Sequence, residues 1–174
     1  MLVPGTRPVM IETYLLAEHR WVPNNARLPV ILYRHAISVG SCEDTASAFE
    51  KLFAHHGWPA QWRDGIYDYH HYHSTAHEVL GVACGSALLM IGGPDGREMT
   101  VAAGDALLLP TGTGHCALGA SEDFLVVGAY PEDQRWDICR DAPDKEARKR
   151  MGSLPFPSSD PIHGANGPLT DHWR

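Results

Sequence analysis

The chain has 174 residues, a length that suits one domain with a core of its own. Hydrophobic residues make up 44% and charged residues 20%, a globular composition that excludes a large disordered block. The formal charge is -7 and the 14 Lys and Arg form no stripe dense enough to follow phosphates, which excludes nucleic acid as an expected partner. No stretch reaches the ~18 apolar residues of a membrane span. The segment MLVPGTRPVMIETY lacks the continuous apolar run of a signal peptide. The expectation is a cytoplasmic protein.

In chain order, Val9 to Glu18 and Leu28 to Ile37 are rich in large apolar and β-branched residues and read as strands, separated by the turn segment WVPNNAR. From Ser41 to His56 the sequence SCEDTASAFEKLFAHH puts Ala48, Phe49, Leu52 and Phe53 on one helical face, with Ser or Asp at its head and Gly57 past its end. The helix is set at 43–56. GWPAQWRDG reads as loop. Seven runs follow, GIYDYHHYH, HEVLGVACG, SALLMIGG, EMTVAAG, DALLLP, HCALGA and DFLVVGAY, separated by Gly, Pro and Asp turns. Short strands so evenly spaced predict an antiparallel sandwich or barrel. After Pro131 the composition shifts: six of the thirteen prolines fall in the last 44 residues, with one helical stretch, PDKEARKRM. The expected division of a single domain is N-terminal strands over 1–29, a barrel core over 30–130 and a C-terminal arm over 131–174. Trp136, Ile138, Leu154, Phe156, Leu169 and Trp173 give the arm apolar surface to bury against the barrel.

Cys42, Cys84, Cys116 and Cys139 lie far apart with no CxxC pair, so all four are expected to be buried free thiols. Histidine stands out: of eleven, His70, His71, His73 and His77 fall within eight residues. Alternation along a strand puts His71 and His73 on one face, with Tyr67 and Tyr69 pointing the same way and His70 and Tyr72 opposite. Two imidazoles inside a barrel gain most from a shared metal ion. Only one of His77 and Glu78 can point inward. Charge favours Glu78, because a carboxylate beside a divalent ion cancels one of its charges, and His77 is the alternative. Beyond a Pro and Gly turn, a second pair of strands delivers His115. His55, His56, His163 and His172 are expected on the surface.

These parts resemble the two motifs of the cupin superfamily, the RmlC-like jelly rolls. The first motif reads Gly, five residues, His-x-His, four residues, Glu, six residues, Gly, and Gly65, His71, His73, Glu78 and Gly85 match every position. The second reads Gly, five residues, Pro-x-Gly, two residues, His, three residues, Asn. Here Gly104, Pro110, Gly112 and His115 match, and Gly119 stands where Asn is usual. HHYHSTAHEVLGV, GAYPEDQRWDICRDAP and DPIHGANGPL are similar to the YjlB-like branch of the cupins. The resemblance implies a mainly β protein built on the double-stranded β-helix, or jelly-roll barrel, and makes His71, His73, Glu78 and His115 ligands to one divalent transition metal.

Three imidazoles and a carboxylate suit Fe, Mn, Ni, Co or Zn, and four protein ligands leave open positions in an octahedron. The core would carry about +1, which suits an anionic small-molecule ligand. The leading expectation is a metal-dependent oxidoreductase, a dioxygenase acting on a small organic acid, with Tyr67 or Tyr69 donating hydrogen bonds to substrate or oxygen. The alternatives are a metal-dependent isomerase or lyase on a sugar or keto acid, and a non-catalytic sensing or binding protein. The resemblance also implies a homodimer, since cupins commonly pair through exchanged edge strands and the N-terminal strands here could cover an open sheet edge in a neighbour.

Overall fold

A computed structural model of the chain describes residues 7–174, so the first six residues of the expected N-terminal strands, and that part of the signal-peptide reading, lie outside the described residues. Among the described residues, nine strands and three helices run in the order β1 (Met10–Tyr14), β2 (Val30–Arg34), α1 (Cys42–His55), β3 (Ala60–Asp64), β4 (Glu78–Cys84), β5 (Ser86–Ile91), β6 (Arg97–Ala102), β7 (Ala106–Leu109), β8 (His115–Ala120), β9 (Leu125–Ala129), α2 (Lys145–Ser153) and α3 (Pro168–His172). They form a six-stranded sheet, β1-β2-β7-β4-β9-β3, and a three-stranded sheet, β6-β5-β8. Every pairing is antiparallel. The jelly-roll expectation holds.

The two sheets close on an apolar layer. Val30 and Leu32 of β2, Leu80 and Val82 of β4, Leu107 and Leu109 of β7 and Val126 of β9 meet Leu89 and Ile91 of β5 and Val101 of β6. The alternate residues of the same central strands, Ile31, Tyr33, Val79, Ala83, Leu108, Val127 and Ala129, point the other way into a second layer. Covered on both faces, β4 and β7 are buried at every position, which is why they read as unbroken apolar runs.

Helix α1 supplies much of the second layer. The Ser41 hydroxyl accepts from the Asp44 amide, 3.1 Å away, and caps the helix. Its buried face is Thr45, Ala46, Phe49 and Phe53, so Ala46 lies inside where Ala48 was expected. Phe49 sits directly over Gly81 of β4, where an added Cβ would lie 2.6 Å from the ring. Glycine permits that approach. The arm completes the layer: Ile162, Leu169 and Trp173 join it. Asp160 organises the arm, accepting from the Tyr33 hydroxyl at 2.6 Å and from the amides of Ile162, His163 and Leu169 at 2.8 to 2.9 Å.

Three expectations are corrected. GWPAQWRDG is not all loop, because Ala60–Asp64 forms edge strand β3, paired with β9. Its outward Arg63 is tied to Glu43 and Glu50 of α1, and that polar outer row hides the strand from a search for apolar runs. GIYDYHHYH is extended but is no regular strand. It makes isolated bridges, His71 with His115 and Tyr72 with Cys139, because its neighbours change from β8 to the arm within two residues. Finally, Cys42 and Cys84 are joined as a disulfide, their Cα atoms 5.2 Å apart, and Cys116 and Cys139 are the free thiols among the described residues.

Candidate metal centre

His71 and His73 lie on the bridged segment, Glu78 opens β4 and His115 opens β8. All four are buried. On β4, Glu78 shares its face with Leu80 and Val82 of the layer between the sheets, whereas His77 falls on the face of Val79. One ring nitrogen from each of His71, His73 and His115 lies within 4.8 Å of the other two, a group that could hold a metal ion.

The second nitrogen of each ring is spoken for by the main chain. His71 Nδ1 bonds the Tyr69 carbonyl and His115 Nδ1 the Thr113 carbonyl, both at 3.0 Å, and His73 Nδ1 bonds the Asp137 carbonyl. A carbonyl oxygen only accepts, so each Nδ1 carries a proton and each Nε2 is the ring atom turned to the interior. Nε2 of His73 and Nε2 of His115 lie 3.1 and 3.2 Å from Glu78 Oε2. Burial lowers the His73 pKa, yet Glu78 beside it outweighs burial and raises it, so this contact calls for a positive charge. A proton on Nε2 or a metal ion in its place answers that need.

Burial lowers the pKa of His71, to about 3, with His115 adding to the effect, so this ring stays neutral. Burial pushes Glu78 upward, yet His73 and His115 beside it outweigh burial and hold its carboxylate well below the usual range. The other carboxylate oxygen, Oε1, accepts from the Tyr130 hydroxyl at 2.7 Å, and Trp62 Nε1 donates to that same hydroxyl oxygen at 2.9 Å. Burial and then the charge of Glu78 raise the Tyr130 pKa beyond the usual phenol range, so Tyr130 is a neutral donor. Sequence reasoning missed Tyr130. The signal was the alternation of β9, which carries the inward face from Val126 through Gly128 to Tyr130.

The remaining candidates separate. Tyr67 lines the mouth of the cavity above the histidines. Tyr69 is not among the lining residues: it stacks on Tyr67 with ring centroids 4.7 Å apart, and the Arg140 guanidinium lies 3.9 Å from its own centroid. Its contribution to the centre is the carbonyl that holds His71. His77 is fully buried on the other face of the sheet, where its Nδ1 accepts from the Thr111 amide at 2.9 Å and its ring packs 4.8 Å from that of Trp173. His70 faces away and meets the Cys116 thiol at 3.7 Å, while Tyr72 is buried with its hydroxyl on the Asp141 carbonyl.

Two antiparallel sheets rolled together, with both motifs folded onto facing strands around a shared interior, define a cupin. The chain is 35% identical over 164 residues to the uncharacterized protein YjlB of Bacillus subtilis (strain 168), spanning 93% of this chain and 96% of that one, and it belongs to the YjlB family. No family model matches. Similar solved structures include a DUF861 family protein from Thermotoga maritima (18% identity, 47% of this chain and 86% of that one, TM-score 0.34). Another is a cupin 2 domain-containing protein from Halorhodospira halophila (14% identity, 86% of this chain and 82% of that one, TM-score 0.30). No helix among the described residues is long and apolar enough to cross a membrane.

Proposed function

We propose that His71, His73, His115 and Glu78 hold one divalent transition metal and that the protein is a metal-dependent dioxygenase acting on a small organic acid. The observation that carries this reading is the set of three Nδ1 to carbonyl bonds, which turns three Nε2 atoms toward one interior point beside a carboxylate. The spacing from Glu78 to His73 and His115, 3.1 and 3.2 Å, supports shared ligation. Two donors ~2.1 Å from one ion and at right angles to each other lie ~3.0 Å apart.

When bound, a redox-active metal would supply the site at which an acid and dioxygen are brought together. The chain's own part is to orient and to exclude water. Tyr130 fixes the Glu78 carboxylate, and Tyr67, at the mouth, would donate a hydrogen bond to the bound acid. Apart from Asp64 at the edge, the cavity carries no carboxylate or imidazole beyond the four proposed ligands.

The test is oxygen consumption by the Fe(II)-loaded protein across a panel of small acids. Substrate-dependent uptake is expected. Turnover under nitrogen without uptake would replace this reading with the isomerase or lyase, and melting shifts without any turnover would replace it with a binding protein.

The homodimer is also proposed. Among the described residues strand β1 pairs on one side only, with β2, and Met10, Ile11 and Leu15 in and beside it are exposed, which supports edge pairing between two copies. Light scattering should give twice the 19.1 kDa chain mass, and the mass of a single chain would refute it.

A further inference from the structure

The cavity above the four side chains has a volume of about 350 Å³. Its walls are Trp62, Ile66, Tyr67, Leu80, Trp136 and Ile138, and no Lys or Arg is among the lining residues. Two cations nearby are engaged elsewhere. Arg63, between Trp62 and Asp64 on β3, is tied to Glu43 and Glu50, and Arg140 of the arm lies over the ring of Tyr69. The charged side chain at the edge is Asp64, itself acidic.

The mouth is apolar as well. Tyr67, Trp136 and Ile138 are 50, 38 and 43% exposed, large hydrophobic side chains left in water around one opening. Apolar surface gathered at a cavity marks a place where something apolar binds. These walls are also held in position. Trp136 stacks on Tyr130 with centroids 4.6 Å apart and planes 9° from parallel, and Trp62 is pinned by its hydrogen bond to the Tyr130 hydroxyl. Gly128 makes room for Trp62, since a Cβ there would lie 2.1 Å from the indole. Little ordering remains to be done when a ligand enters.

We infer that the ligand of this cavity is an acid with an uncharged aromatic or similarly flat apolar body, whose one anionic group points to the metal centre. The inference rests on the metal reading above and goes further by fixing what the rest of the ligand is. A second anionic group on the body would lose its water against aromatic walls and meet Asp64 rather than a cation. A small polyhydroxylated acid would leave the walls uncovered.

The experiment uses the full chain loaded with Co(II), with ligand binding read from the cobalt visible spectrum. Three probes share one chelating head: acetohydroxamic acid, benzohydroxamic acid and 4-carboxybenzohydroxamic acid. Benzohydroxamate should bind about 10- to 100-fold more tightly than acetohydroxamate, beyond their difference for aqueous cobalt, the gain expected from burying one aromatic ring. The 4-carboxylate should lose most of that gain. Trp136→Ala should shrink the preference for the ring with cobalt uptake retained. Ile138→Arg, at an exposed position that does not threaten folding, should restore binding of the 4-carboxylate. Equal affinities for the first two probes, or tighter binding of the 4-carboxylate by the unaltered protein, would overturn the inference while leaving the metal reading in place. Failure to take up cobalt would overturn both.

Discussion

Tyr130 and Glu78 show how one hydroxyl sets the shape of the centre. A carboxylate with one oxygen turned to His73 and His115 has its other oxygen free to swing, and the Tyr130 hydroxyl at 2.7 Å removes that freedom. Tyr130→Phe keeps the ring and its stacking on Trp136 and deletes the one donor. Metal affinity should fall by about 10- to 100-fold, the range for lost outer partners of metal ligands, with the far-ultraviolet dichroism unchanged. Competition with a chromophoric chelator measures it, and an unaltered affinity would count against the role. Strand alternation put the members of each pair, His70 and His71, His77 and Glu78, on opposite sides of the wall, and charge then chose Glu78 over His77. Tyr130 escaped because an aromatic residue at the end of a strand looks like core. What marks it as more is a hydroxyl facing a carboxylate 52 positions away in sequence, and only the pairing of β9 with β4 brings the two together.

Strand β4 carries Glu78 inward on one face and supports α1 on the other. That double burden makes it sensitive to volume. Gly81→Ala would put a methyl group 2.6 Å from the ring of Phe49, which is fully buried and has nowhere to retreat. A loss of about 1–3 kcal/mol is expected in denaturant unfolding. Gly119→Ala, with nothing within 4 Å of the new carbon, should be close to neutral, and equal losses at the two sites would contradict this packing. Most strands were legible because their runs are apolar and bounded by Gly and Pro turns. Strand β3 was not, since its outward Gln61 and Arg63 carry the polarity of a loop. The segment before β4 was misread in the opposite direction: its aromatic residues suggest a strand, yet its partners are β8 for His71 and the arm for Tyr72.

Across the whole molecule, the disulfide Cys42–Cys84 ties the head of α1 to the far end of β4, closing a sequence separation of 42. Nothing in the spacing of the cysteines announces this pair. It exists only once α1 lies across the sheet. Closure of a loop this long should contribute about 3–4 kcal/mol, so reduction should lower the unfolding midpoint. Thiol titration in denaturant without reductant should find two of the four cysteines reactive, and four would contradict the bond. The arm belongs to the same scale. Its Asp137 carbonyl fixes His73, while its Trp136 and Ile138 stand at the cavity mouth, so its apolar residues divide between core and opening.

The centre itself is tested most directly by the metal content of the purified protein after exposure to a divalent metal and exhaustive dialysis, compared between the unaltered chain, His71→Ala and His70→Ala. About one ion per chain is predicted for the unaltered protein and for His70→Ala, and almost none for His71→Ala. A chain that retains no ion, or a His71→Ala protein that retains it as well as the unaltered one, would contradict the assignment.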